Sequence, residues 1–148
     1  MSFVSHLIKM KQTLNKKDRL KSHSKIRELF DHGGKLKQHP ITLFYLIDEG
    51  KDEDGTSMKM GVAVGTKHFK KAVQRNLLKR RIREAYRLQR AALRETIAAS
   101  PYNISLFFVY ADYTVLDYNT IGPSVKILLD KCQVIITQKT NELKAKND

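Results

Sequence analysis

One helical segment with a strand pattern on each side constrains this chain more than any other feature. Across residues 71–96, apolar and basic side chains recur at helical spacing. At ~100° per residue, Arg75, Lys79, Arg80, Arg83, Arg87, Arg90 and Arg94 fall within an arc of roughly 140°, with Asn76 in its middle. Val73, Leu77, Leu78, Ile82, Ala85, Leu88 and Ala92 occupy the other side, so one face is expected to pack and the other to stay open. Ser100 and Pro101 end the segment, because the residue before a proline disfavours helix. The runs MKMGVAVG before it and NISLFFVY after it read as strands. The second is apolar on both faces and is expected at the centre of a sheet.

The rest of the chain supplies further elements. Ile26, Leu29 and Phe30 mark one face of a short helix over residues 20–32. Gly33 and Gly34 are expected to stop it, glycine taking the left-handed cap conformation without strain. After Pro40, ITLFYLI reads as a strand, and DEGKDEDGTS as a polar turn joining it to MKMGVAVG in a hairpin with a long acidic loop. Gly61 and Gly65 suggest close backbone approach. A last helix is expected over 119–143, with Pro123 near its first turn and Val125, Leu128, Leu129, Cys132, Ile135 and Ile136 inward. The order helix–strand–strand–helix–strand–helix predicts an α/β fold, an α+β two-layer sandwich. The expected organisation is a basic, flexible arm over 1–18, a single domain over 19–143 and a tail over 144–148.

Charge narrows the partner. The 148 residues hold 28 Lys+Arg against 15 Asp+Glu, a formal net charge of +13. Residues 67–94 carry 11 basic side chains and one acid, and residues 9–27 carry eight and one, while the remainder is slightly acidic. Concentrated charge of one sign is the footprint of a polyanion-binding surface, most often one for nucleic acid. Like charges at i,i+3 and i,i+4 weaken a helix, a cost easier to understand if phosphates cover that face. Arginine adds bidentate phosphate contacts, and Asn76 an amide able to donate and accept at a sugar or base edge. Arg81 falls on the apolar side, with snorkelling at the sheet edge and RNA contact weighed evenly. No apolar run is long enough to span a membrane. The start lacks the marks of a secretory signal, and the lone Cys132 excludes an internal disulfide and a cysteine-based zinc cluster. A reducing, cytoplasmic setting is expected.

Residues 69–83 read F-x-x-A-x-x-R-N-x-L-K-R-x-I-R. This resembles the signature of the protein component of bacterial ribonuclease P. Arg19 and Leu20 before the first helix, Phe30 and Gly33 at the family's spacing, and GVAV before the basic helix agree with it. The resemblance covers about residues 14–131. It implies a fold similar to the second domain of a ribosomal protein, with a β–α–β crossover of the rare left-handed kind, where the general rule favours right-handed. It also implies that the chain cuts nothing itself: a catalytic RNA partner binds the magnesium and removes the 5′ leader of precursor tRNA. On that reading Arg75, Asn76, Lys79, Arg80 and Arg83, with Lys70, Lys71 and Arg87, contact the catalytic RNA. Ile26, Phe30 and Phe44 line a leader-binding cleft, with Arg19 and Lys67 near its rim. Two positions depart from the family pattern: Ile26, where the family is often aromatic, and Thr66, where a second lysine commonly precedes Lys67.

Protein-borne chemistry is sparse by comparison. Asp48, Glu49, Asp52, Glu53 and Asp54 form the acidic cluster, read as a solvated turn rather than a magnesium site. His6, His23, His32, His39 and His68 make no H-x-x-x-H pair, and no P-loop or dinucleotide motif occurs. No catalytic residue, no resident metal and no obligate protein partner is expected. The main alternative is a non-catalytic ribosomal or RNA-assembly protein. A DNA-binding helix-turn-helix fits poorly because strands flank the arginine helix, and a protein-only nuclease lacks the acid and histidine constellation.

Overall fold

The computed structural model describes residues 16–50 and 57–147. Its centre is β4 (Tyr102–Tyr110), with seven of its nine residues buried. An apolar strand of this kind needs neighbours on both edges and cover on both faces. It has β2 (Ile41–Glu49) antiparallel on one side and β3 (Met58–Ala63) parallel on the other. β1 (Gly34–Gln38) pairs with the outer edge of β2, so the sheet order is β1-β2-β4-β3. The hairpin expected between β2 and β3 is therefore absent: β4 inserts between them. Residues 51–56 of the acidic loop, with Asp52, Glu53 and Asp54, lie outside the described residues.

β1 had no expectation in the sequence. Its GKLKQ alternates, but only Leu36 turns inward against the core. One apolar residue in five is too thin a signal for a strand, although lysines on an edge strand guard it against stray pairing. The far edge, β3, is partly covered as well: Leu20 N–H donates to Met60 O at 2.8 Å, beside an isolated bridge from Arg19 to Met60.

The helices are α1 (His23–His32), α2 (Ala72–Gln89), α3 (Ala91–Ala98) and α4 (Tyr118–Asn147). Alternation along the strands sends two sets of side chains to opposite faces. Ile41, Leu43, Ile104, Leu106, Phe108 and Tyr110 belong to the main core, with Leu78, Ile82, Tyr86, Leu93, Val125, Leu128 and Ile136 from α2, α3 and α4. Each such aliphatic side chain contributes about 1.5–3 kcal/mol by burial. On the opposite face Phe107 joins Leu20 and Leu29 in a smaller cluster under α1. The result is the expected α+β class, but not two layers: among the described residues α2, α3 and α4 cover one face of the sheet and α1 lies on the other.

Several local expectations change. Ser22 caps α1 through its hydroxyl, which accepts from Lys25 N–H at 3.3 Å. Gly33 ends that helix, but with extended backbone (φ −79°, ψ 170°) rather than left-handed. Glycine is required there for room: a Cβ would stand 2.3 Å from Leu29 O and 2.5 Å from Tyr45 O. Gly61 does mark a close approach, to the Phe107 ring, whereas nothing crowds Gly65. The single helix expected over 71–96 breaks at Arg90. No glycine or proline causes the break. Gln89 Nε2 donates to Gly122 O at 2.9 Å, and Arg90 pairs with Asp18, so tertiary partners set it. Asp117 caps α4 by accepting from Thr120 N–H at 3.0 Å, and the helix runs through Asn147, past the end expected at residue 143. Residues 1–15 of the expected arm lie outside the described residues, but the 3-10 turn Lys16–Asp18 belongs to the folded body.

Candidate nucleic-acid interface

The buried side of α2 is made by Leu78, Ile82, Ala85 and Tyr86. Asn76, Arg80 and Arg83 lie on the open side and are exposed, following one another at i, i+4, i+7. Val73 shares that side and is 78% exposed, and Leu88 is exposed as well, so the expected apolar face is narrower than the sequence suggests. Tyr86, fully buried, was missing from that face and rotates it toward Arg75 and Lys79, which are half-buried.

The seven expected cations therefore divide. Arg75 Nη1 donates to Phe69 O at 2.7 Å and Lys70 O at 2.9 Å, pinning the loop before α2. Arg87 pairs with Glu84 on its own helix. Arg90 is 8% exposed and turns inward. Lys70, Lys71 and Arg94 are exposed. Arg81 faces the fold, its Nη1 donating to Leu116 O at 2.6 Å.

Under α1, the second face of the sheet is only partly covered. Register sets Lys35, Phe44, Phe107 and Gly61 side by side in one row, and Lys37, Thr42, Val109 and Ala63 in the next. Phe30, on α1, is 43% exposed. Its ring centroid lies 4.6 Å from Phe44 and 5.3 Å from Phe107. Ile26 and Phe44 pack partly buried against the same cluster. A Cβ at Gly61 would approach the Phe107 ring at 2.8 Å, so glycine lets that ring lie flat in the floor. The expected trio Ile26, Phe30 and Phe44 is thus brought together. Phe107 completes it and was overlooked because a central strand position reads as plain core.

Cations rim this face. Lys35 Nζ sits 5.5 Å from the Phe44 ring centroid. Where the N-terminal end of α1 meets the sheet, Arg19, Lys21, Lys25 and Lys59 line a cavity of about 270 Å³. Lys25 is partly neutralised there by Asp48 at 3.0 Å, a hydrogen bond that raises its pKa above the ordinary lysine value. Lys35, Lys37 and Lys59 were not foreseen; the alternation of β1 and β3 was the available signal. Lys67 is exposed in the loop after β3, where its neighbour His68 lies against Tyr113. The two basic segments also meet: partial burial, and then the charge of Arg19, lower the pKa of Arg83.

Among the described residues no group of three or more His, Cys, Asp or Glu is placed to hold a metal ion. Asp48 is engaged with Lys25. Cys132 is a core thiol, pushed up to about 12 by burial. No helix of the described residues is long and apolar enough to cross a membrane. The surface offers cations, aromatic faces and an amide, which suit phosphates and unstacked bases.

Comparisons with known proteins point the same way. Residues 14–133 match the family model described as Ribonuclease P. A curated Ribonuclease P protein component from Porphyromonas gingivalis is 29% identical over 108 residues, 73% of this chain and 77% of the relative. The structure of the RNase P protein from Thermotoga maritima has a TM-score of 0.59 at 19% identity, covering 76% of this chain and 96% of its own. That of the Staphylococcus aureus RNase P protein gives 0.58 at 16% identity, over 76% and 93%. These structures share the fold, and the family model spans most of the sequence, so the chain belongs to the Ribonuclease P protein family.

Proposed function

We propose that this chain works as the RNA-binding subunit of ribonuclease P, gripping the catalytic RNA with α2 and the 5′ leader of precursor tRNA under α1. Family membership supplies the coarser statement, a ribonuclease P protein component. The finer reading is carried by one juxtaposition. Arg19 lines the cavity beside α1, and its neighbour Asp18 is paired with Arg90, at the C-terminal end of α2, at 3.4 Å. A surface for one polyanion thus adjoins a surface for a second.

Each side chain has a task in this reading. Asn76, Arg80 and Arg83, with Lys70, Lys71 and Lys79 around them, bind the backbone of the catalytic RNA, while Arg87 is held by Glu84. Phe30 and Phe44, over Phe107 and beside Ile26, hold unstacked leader bases with little sequence preference. Arg19, with Lys67 further along, neutralises leader phosphates. Two polyanions repel, and cations lodged between them lower the magnesium that their meeting requires. Among the described residues no group of three or more His, Cys, Asp or Glu is placed to hold a metal ion, and in this reading the magnesium belongs to the partner RNA. Gripping the leader favours precursor over mature tRNA, because mature tRNA has none. The setting expected is the cytoplasm.

The test is single-turnover cleavage of a precursor tRNA at low magnesium with the cognate catalytic RNA alone, the protein alone and the two together. Strong cleavage in the mixture only is the expected outcome. No stimulation by a folded, RNA-binding protein would overturn the reading in favour of ribosomal or assembly work.

A further inference from the structure

The loop between β4 and α4, residues 111–117, is held in place by side chains from three directions. Arg81 Nη1 donates to Leu116 O at 2.6 Å. Tyr110 Oη donates to Thr114 O at 2.6 Å and accepts from Leu116 N–H at 3.1 Å. Asp112 accepts from the Thr114 N–H and hydroxyl, each at 2.8 Å, and its other oxygen lies 2.6 Å from His39 Nε2. The facing loop, before α2, is tied by Arg75 to Phe69 O and Lys70 O, and the Phe69 ring packs on Tyr110 at 5.7 Å.

Where these loops meet, Tyr113 stands edge-on to His68, with ring centroids 4.2 Å apart and planes at 72°. Yet Tyr113 is 74% exposed. Its loop is fastened while its ring contributes little burial, an arrangement that core packing does not explain. His39, His68, Tyr110, Asp112 and Tyr113 line an open recess of about 460 Å³. The exposed Lys67, Lys70 and Lys71 adjoin it along the chain. Asp112, its acid, is already occupied by His39 and Thr114. A rigid aromatic ring with lysines beside it favours a base on a phosphate backbone over an acidic or apolar protein segment.

We propose that Tyr113, backed by His68 and held in place through Arg81, is a stacking shelf for one unpaired RNA base. This rests on the ribonuclease P reading and adds a contact point to it, away from the aromatic face under α1. Arg81 acts on the shelf as a positioning residue, which gives a use to an arginine of the basic segment that turns its guanidinium to the fold. The base comes from the partner RNA or from the precursor substrate, and the experiment separates the two.

The chain has no tryptophan, so Tyr113→Trp creates a single fluorescent reporter at the shelf. The full chain carrying it is titrated with the catalytic RNA subunit, and the resulting complex then with precursor tRNA and with mature tRNA. Stacking quenches the indole and keeps affinity within about twofold of the native chain. Tyr113→Ala weakens binding of the same RNA about 5- to 100-fold, the range of one lost stack. Quenching by the RNA subunit alone places the base there; quenching only on adding precursor places it in the substrate. No quenching in any arm, with Tyr113→Ala binding like the native chain, overturns the shelf and leaves the function standing. Failure of the native chain to bind the RNA subunit overturns the function and the shelf with it.

Discussion

The Asp18 carboxylate lies 3.4 Å from the Arg90 guanidinium, with the two side chains only 13% and 10% exposed. Arg90 also lies over Tyr86, 5.7 Å from the ring centroid, and Tyr86 is fully buried. The pair binds the turn Lys16–Asp18 to the break between α2 and α3. It also removes Arg90 from the cationic arc, so that, like Arg75 and Arg87, it serves the fold rather than the ligand. Orphaning one member of a buried pair costs more than the pair itself contributes, because the remaining charge stays desolvated. Asp18→Asn is expected to lower stability by about 3 kcal/mol in urea unfolding. The double variant Asp18→Asn with Arg90→Met should recover most of the loss, since an apolar side chain leaves no charge to orphan.

Arg80 and Arg83 predict the opposite pattern. Both are exposed on α2, whose buried side is made by Leu78, Ile82, Ala85 and Tyr86. Arg80→Ala or Arg83→Ala should each weaken RNA binding and lower the salt slope by about one ion. Unfolding midpoints should hardly move. For Arg83 they should rise slightly, because partial burial and the nearby Arg19 disfavour its charged form in the folded chain. Affinity titrations at several salt concentrations, with unfolding curves alongside, separate these arginines from Arg90. An unchanged slope in both variants would remove α2 from the RNA interface.

The aromatic face divides into a reading part and a supporting part. Phe30 is 43% exposed, whereas Phe107 is 9% exposed. Phe30→Ala should therefore reduce affinity for precursor tRNA about 5- to 50-fold, with mature tRNA unaffected. Its stability cost should stay under about 2 kcal/mol. Phe107→Ala should cost about 3–5 kcal/mol, the usual loss for a buried ring. Equal effects of Phe30→Ala on precursor and mature tRNA would show that the face does not meet the leader.

Legibility followed the strength of the local signal. The basic helix as far as Gln89, the central β4 and most of the apolar face of α4 repeat over many residues and stand where the pattern put them. The neighbour of β2 did not follow, because strand pairing is decided by which edges remain unsatisfied across the sheet, and β4 claimed both. β1 escaped because Leu36 is its only inward apolar residue. The division of the arginines escaped for a different reason. A helical wheel gives directions, but Arg75, Arg81, Arg87 and Arg90 were turned to other work by Phe69 O, Leu116 O, Glu84 and Asp18, all set by tertiary geometry. Ile26, Phe30 and Phe44 came from resemblance, since periodicity alone marks them as core; register then added Phe107, Lys35 and Lys37.

Asp112 predicts an acid limb in stability. Its carboxyl is held at about 2, below the usual carboxylate value of 3.8, first by the Thr114 N–H, then by His39 and the Thr114 hydroxyl. A folded-state pKa below the unfolded one means the ionised form is favoured by folding. The contribution is fully present above the unfolded value and disappears as pH falls from about 4 toward about 2. Asp112→Asn should therefore lower the urea midpoint at neutral pH and flatten its fall across that acid window. Because Asp112 fastens the loop that carries Tyr113, the same variant should also weaken RNA binding at neutral pH without changing the salt slope. A flattened acid limb with native RNA affinity would separate the loop's stability from the shelf.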